Sequence, residues 1–106
     1  MARVVAISTD LLLGSKVEGM LKAAGHEVTL VSSLPEQPEN ADLIIADLDA
    51  EDPLALADLA IPVLGYYSHV NVETKEAAES AGIALAVPRS RMSRELVTLT
   101  ASLLDA

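Results

Sequence analysis

Short runs of apolar residues alternate along the chain with segments in which apolar residues recur every three or four positions. A short apolar run predicts a buried strand, whereas recurrence at i, i+4 and i+7 predicts an amphipathic helix. Strands that alternate with helices favour an α/β fold, with a parallel sheet covered by helices on both faces. The predicted strands are residues 3–7, 27–31, 42–46, 62–66 and 83–87.

Capping residues mark the ends of the helical segments between these strands. Asp10, with Ser8 and Thr9 before it, can cap the first helix, and glycine 25 can end it. Asp52 followed by proline predicts an N-cap and first helical position, and Asn71 can cap a third helix that ends before glycine 82. Residues 32–40 contain two prolines and predict a loop or a single turn. The first three predicted helices end at about residues 24, 60 and 81. The last predicted helix extends from about residue 92 to residue 104.

Composition and charge narrow the class of function. The 106 residues, 51% of them hydrophobic, predict one domain spanning 1–106. A net charge of −9 argues against a nucleic-acid ligand or a membrane surface and leaves a protein or a small molecule as the partner. The chain has no cysteine, so it can form no disulfide or thiolate metal site. It also has no tryptophan and no phenylalanine. No apolar run approaches the ~20 residues of a membrane span. We expect a cytoplasmic protein without a cofactor.

The candidate functional residues follow the strands. In an open parallel sheet, ligands and reacting groups bind at the carboxyl ends of the strands. The polar residues that this sequence places there are Ser8, Thr9 and Asp10, then Asp47 and Asp49, then Ser68 and His69, and finally Arg89, Ser90 and Arg91.

Three segments give the chain a family resemblance. They are ARVVAISTDLLLGSKVEGMLKAAGHEV (2–28), ADLIIAD (41–47) and IPV (61–63), and in this order they resemble the receiver domain of bacterial response regulators. The resemblance implies a flavodoxin-like, three-layer α/β/α fold whose five parallel strands have the order 2-1-3-4-5. It also implies that Asp47 takes the position of the aspartate that receivers phosphorylate.

The sequence departs from the receiver pattern at the residues that assist phosphorylation. The acidic pair that holds Mg²⁺ in receivers corresponds to Ser8 and Thr9, and Val87 precedes the proline where receivers have a lysine. Asp10 and Asp47 alone would give a weakened metal site, so we expect no bound metal. Phosphoryl transfer requires neutralisation of the transferring group, and the machinery for it is incomplete here. The spacing from Val28 to Asp47 and from Asp47 to Pro62 is shorter than in receivers, so the helices that correspond to a receiver's second and third should be shortened or missing.

Three functions remain open. The first is a stand-alone pseudo-receiver without enzymatic activity, which binds a protein or forms a homodimer through residues 72–104. The second is a sensor of small anions or metabolites built on the Arg89 and Arg91 loop, and the third is an atypical receiver phosphorylated on Asp47. In the simplest alternative, Asp47 only accepts hydrogen bonds from the next turn, and the arginines only form ion pairs. Candidate apolar positions on the 72–104 face are Val72, Ala77, Ala81 and Val97.

Overall fold

The computed structural model describes residues 2–33, 40–68 and 72–105. These residues form five strands and four helices, which alternate as the apolar pattern predicts, except that no helix lies between the second and third strands in the described residues. In chain order the elements are β1 (Arg3–Ile7), α1 (Leu11–Ala23), β2 (Glu27–Val31), β3 (Leu43–Asp47), α2 (Pro53–Ala57), β4 (Val63–Tyr67), α3 (Val72–Ala81), β5 (Leu85–Pro88) and α4 (Arg89–Leu104).

The five strands form one parallel sheet with the order β2-β1-β3-β4-β5. Val4 of β1 pairs with Leu43 of β3, and Ile44 pairs with Val63 of β4. Every residue of β3 and β4 is buried, as expected for central parallel strands covered on both faces. The predicted flavodoxin-like strand order is therefore confirmed.

Helices cover both faces of the sheet. On one face, Leu21 of α1 and Leu96 of α4 pack with Ile45 in a single core cluster. On the other face, Leu56 of α2 and Ala78 of α3 belong to a second cluster that includes sheet residues such as Ile44. Burial of each large apolar side chain contributes about 1.5–3 kcal/mol. The three-layer arrangement confirms the prediction, and none of the helices in the described residues is long and apolar enough to cross a membrane.

The predicted caps are present. The Asp10 carboxylate accepts hydrogen bonds from the backbone N–H groups of Leu12 and Leu13, both at 3.1 Å. Asp52 caps α2 in the same way, with Pro53 at the first helical turn. The glycines after α1 and α3, Gly25 and Gly82, have φ values of +96° and +94°, which glycine adopts more readily than other residues.

Several predicted element ends are wrong. α2 stops at Ala57 rather than near residue 60, where Ala60 has a φ of +56° that no helix continues. α4 begins at Arg89 rather than at 92. Its first turn is polar and the apolar period begins only after it, so the period predicted a start that is too late. β5 begins at Leu85 rather than 83, while β3 and β4 shift by one residue. α2 takes the place of a receiver's third helix and, with five residues, is short as expected. Most of the predicted loop at 32–40, where a receiver has its second helix, lies outside the described residues, as does the Asn71 cap.

One glycine allows the loop after β3 to pack on the sheet. A methyl group placed on Gly65 of β4 would lie 2.5 Å from Cδ1 of Leu48, the buried residue that directly follows Asp47.

Gly65→Ala is therefore expected to destabilise the fold by about 1–3 kcal/mol through overpacking, as measured by urea unfolding. Gly19→Ala is the control, since no atom beyond the adjacent residues and backbone of α1 lies within 4 Å of its new methyl group. It should stabilise α1 by about 0.5–1 kcal/mol. An equal cost of Gly65→Ala in a Leu48→Ala background would contradict this account.

Candidate functional site

Asp47 ends β3 at the carboxyl edge of the sheet, and its side chain is 9% exposed. One carboxylate oxygen, Oδ1, accepts a hydrogen bond from the backbone N–H of Asp49 at 2.9 Å. The other, Oδ2, lies 3.3 Å from Nη2 of Arg89. The local turn accounts for only half of the carboxylate's contacts, because a residue 42 positions along the chain supplies the rest.

Arg89 connects two carboxylates across the edge. Its Nη1 lies 3.7 Å from Oδ2 of Asp10, while Nη2 contacts Asp47. The guanidinium carbon also lies 5.7 Å from the centre of the Tyr66 ring, within the range of a cation–π interaction. Arg89 reaches this position because α4 begins directly after Pro88, so the first helical residue extends back over the end of β3. The result is a single guanidinium between two acidic groups.

The two positions that carry acidic residues in receivers hold hydroxyl groups here. The Oγ of Ser8 accepts a hydrogen bond from the backbone N–H of Asp10 and donates one to its carbonyl oxygen, both at 3.1 Å. Ser8 is buried, whereas Thr9 is exposed. Ser8 therefore shapes the turn into α1 and brings no negative charge to the edge.

Tyr66 completes the inner wall of the site. It is 1% exposed, and burial raises the pKa of its hydroxyl above the usual value. A hydrogen bond with Ser8 and the charge of Arg89 oppose that increase in pKa, and the charges of Asp47 and Asp10 add to it. The tyrosine is therefore neutral at physiological pH. The pKa of Glu51 is also raised, first by burial and to a smaller extent by the nearby charge of Asp47.

The remaining candidate residues lie around this centre. The backbone N–H of Ser68 donates a 2.8 Å hydrogen bond to Asp49. Ser90 is exposed and lines an open groove of about 420 Å³. Arg91 pairs at 3.3 Å with Glu95, four residues along α4. His69 lies outside the described residues. The groove's lining residues are Leu13, Ser68, Arg89, Ser90 and Ser93.

Because successive side chains of a strand point to opposite faces, the sequence predicts that one of Tyr66 and Tyr67 is core and that the other reaches the site or a partner, without deciding which. It gives no sign of a second contribution to this edge, from Lys16. Tyr66 pairs in register with Asp47, so both side chains project from the same face of the sheet. That register could have identified Tyr66 once the strand order was known. Lys16 donates a 2.6 Å hydrogen bond to Ser93 beside the groove, and no sequence pattern joins two residues so far apart in the chain.

Comparison with solved structures identifies the architecture. The chain has a TM-score of 0.82 with the non-phosphorylated HemR receiver domain from Leptospira biflexa, at 16% identity, and the match covers 100% of this chain and 96% of that one. For a response regulator from Thermotoga maritima the TM-score is 0.82, with 15% identity and coverage of 100% and 99%. For the Francisella response regulator 1452 receiver domain the TM-score is 0.83 at 15% identity, and the match covers 99% of this chain and 98% of that one. The chain has the receiver fold. No family model and no curated protein sequence matches it.

A receiver-type Mg²⁺ site does not fit these residues. Mg²⁺ takes a near-octahedral set of oxygen ligands and is usually held by one or two carboxylates together with several waters. In the part of the chain that the structure describes, no three His, Asp or Glu side chains are grouped so as to hold a metal ion. The two nearest carboxylates, of Asp10 and Asp47, are bridged by the guanidinium of Arg89. The cation between these acidic groups is therefore an arginine side chain.

The Arg89 contact predicts a measurable effect on stability. Arg89→Met keeps the aliphatic part of the side chain but leaves the nearly buried Asp47 carboxylate without its cation. We expect the free energy of unfolding in urea to fall by about 1–3 kcal/mol, with the effect moderated because Arg89 is partly exposed. Arg91→Met is the control, because it removes only an exposed pair with Glu95 and should cost less than about 0.5 kcal/mol.

A double variant separates the ion pair from a general packing effect. Asp47→Asn removes the charge that Arg89 neutralises, so adding it to Arg89→Met should recover part of the lost stability. Equal losses for Arg89→Met and Arg91→Met, or no recovery in the double variant, would contradict the pairing.

Proposed function

We propose that this chain is a receiver-like protein-interaction module of signal transduction that has no enzymatic activity and works without phosphorylation. The observation that supports this proposal is the ion pair between Arg89 and Asp47, at the position where receivers carry their phosphoacceptor. The protein acts in the cytoplasm through a protein partner or a second copy of itself. Its charge of −9 supports a protein partner over nucleic acid.

Phosphorylation of Asp47 would require its carboxylate to attack a phosphoryl group that carries negative charge. Oδ2 is already engaged by Arg89, and Oδ1 accepts the Asp49 N–H. Ser8 and Thr9 add no negative charge that could hold a divalent cation, and Val87 takes the position of the lysine. The electrostatic stabilisation on which phosphoryl transfer depends is therefore largely absent.

The groove beside Arg89 supports the small-anion alternative less well. Lys16 and Ser93 provide a cation and a hydroxyl near it. Arg89, however, is directed at two carboxylates, and Arg91 pairs with Glu95. An incoming anion would have to displace these internal partners and approach Asp10 and Asp47. The arrangement therefore favours ion pairs within the chain over a bound metabolite.

The proposed contact surface is formed by α3, β5 and α4, residues 72–104. Val72 and Val97 are 58% and 40% exposed, and Ala77 is exposed, whereas Ala81 is half-buried and offers less apolar area than expected. Three exposed side chains of α3 are acidic and one, Lys75, is basic, and the exposed side chains at the start of α4 include two arginines. Opposite charges on the two helices beside an edge strand suit a symmetric contact between two copies. The charged residues concerned are Glu73, Glu76, Glu79, Arg91 and Arg94.

A phosphodonor experiment tests the proposed function. The protein is incubated with Mg²⁺ and acetyl phosphate beside a phosphorylatable receiver, and intact masses are recorded under conditions that preserve acyl phosphates. We expect an adduct on the reference receiver and none on this chain, because Arg89 occupies the place of the cation. An adduct on this chain that disappears in Asp47→Asn, but persists in the control variant Asp49→Asn, would overturn the proposal.

A further inference from the structure

A groove of about 480 Å³ lies at the amino edge of the sheet, the end opposite Asp47 and Arg89. One side of it is formed by the residues that directly precede β1, β2, β3 and β4, which meet at one end because the strands are parallel. The last turn of α4 forms the other side. The volume is within the range of pockets that hold small molecules. The four residues that precede the strands are Ala2, His26, Asp42 and Pro62.

The α4 side of this amino-edge groove is apolar. Leu103 and Leu104 are half-buried, and both pack against the core cluster between the sheet and the helices α1 and α4. Pro62 and the exposed Ala101 extend the apolar lining. Since the two leucines already rest on the core, a ligand does not have to order them. An apolar chain placed against them would lose contact with water, which favours binding.

The groove carries negative charge, and its lining in the described residues contains no lysine or arginine. Asp42 and Asp105 line it, and the ion pairs in the described residues include neither carboxylate. One oxygen of Asp42 accepts the backbone N–H of Arg3 at 2.9 Å, which positions the carboxylate without neutralising it. The Arg3 guanidinium pairs with Glu27 instead, at 3.2 Å. The carbonyl end of α4, whose last turn has no basic residue, adds the negative end of the helix dipole.

His26 adds no positive charge to the groove. Its Nδ1 accepts a 3.2 Å hydrogen bond from the backbone N–H of Ala2. A ring nitrogen that accepts a hydrogen bond carries no proton, so the imidazole is neutral in this arrangement, with its proton on Nε2. In the part of the chain that the structure describes, no three His, Asp or Glu side chains are close enough together to hold a metal ion. The negative charge of the groove therefore suits an organic cation better than a metal ion.

We propose that the amino-edge groove binds a small organic cation, an alkylammonium group attached to an apolar chain. The ammonium group lies beside the carboxylates of Asp42 and Asp105, and the chain packs on Leu103 and Leu104. A primary ammonium group donates up to three hydrogen bonds, and those to carboxylates are stronger than bonds between neutral groups. The inference goes beyond the proposed function and does not depend on it, because the groove lies at the opposite end of the sheet from Asp47.

The test titrates 4-phenylbutylamine into the labelled full chain and follows the amide NMR signals. Methylammonium is the control for charge without an apolar chain, and 4-phenylbutanol is the control for the chain without charge. We expect saturable shifts at His26, Leu104 and Asp105 with the amine, and none with either control at the same concentration. Equal saturation by a control, shifts centred on Asp10 and Asp47 instead, or no saturable shifts with the amine would overturn the inference.

Two neighbouring exposed residues in the last turn of α4 supply matched variants. Ala101→Lys places an ammonium group of the chain itself in the groove, whereas Ser102→Lys adds the same charge at a residue that does not line it. A lysine near a helix C-terminus is favourable, so both variants should remain folded. We expect Ala101→Lys to weaken binding of the amine by at least about tenfold and Ser102→Lys by less than about twofold. Equal losses in the two variants would overturn the inference.

Asp42→Asn removes the charge but keeps an oxygen that can accept the Arg3 N–H. We expect this variant to bind 4-phenylbutylamine about three- to tenfold more weakly than the unmodified chain. Unchanged affinity in Asp42→Asn and in Asp105→Asn would show that neither carboxylate contacts the ammonium group and would overturn the inference.

Discussion

The contact between Arg89 and the two carboxylates of Asp10 and Asp47 is the interaction on which the rest of the site depends. β3 is a central strand, buried along its whole length, and it ends in an acidic residue. A carboxylate in that position loses most of its hydration and requires a cation or hydrogen-bond donors in exchange. Arg89 and the backbone N–H of Asp49 supply both. The abrupt transition from β5 to α4 at Pro88 is what brings the guanidinium there.

A known fold and an altered site occur together in this chain. Solved receiver domains share its architecture over nearly the full length at 15–16% identity. A fold accommodates many functions, and the residues of the site decide which of them a chain performs. In this chain the charge that a metal and a lysine would contribute is replaced in part by the guanidinium of Arg89. The cation at this edge is therefore part of the chain itself, which suits the interaction module proposed above.

Much of the fold could be predicted from the sequence, because burial and capping leave local signals. The apolar runs located all five strands, and Asp10, Asp52, Gly25 and Gly82 marked helix ends that the structure confirms. The start of α4 could not be predicted from periodicity, since its first turn faces solvent or the site and carries no apolar period. The direction of Arg89 depends on residues 42 and 79 positions away along the chain. Such a contact becomes visible only when the strand order brings the ends of β1, β3 and β5 to one edge.

The most direct test of the central claim is an amide NMR titration of the labelled chain with Mg²⁺ and beryllofluoride, which mimics a phosphoryl group on an aspartate. If Arg89 holds Asp47 in place of a metal, the signals of Asp10, Asp47 and Ser68 should not shift in a saturable manner at millimolar Mg²⁺. Saturable shifts centred on these three residues, and absent in Asp47→Asn, would contradict the account and show that the edge retains a working phosphorylation site.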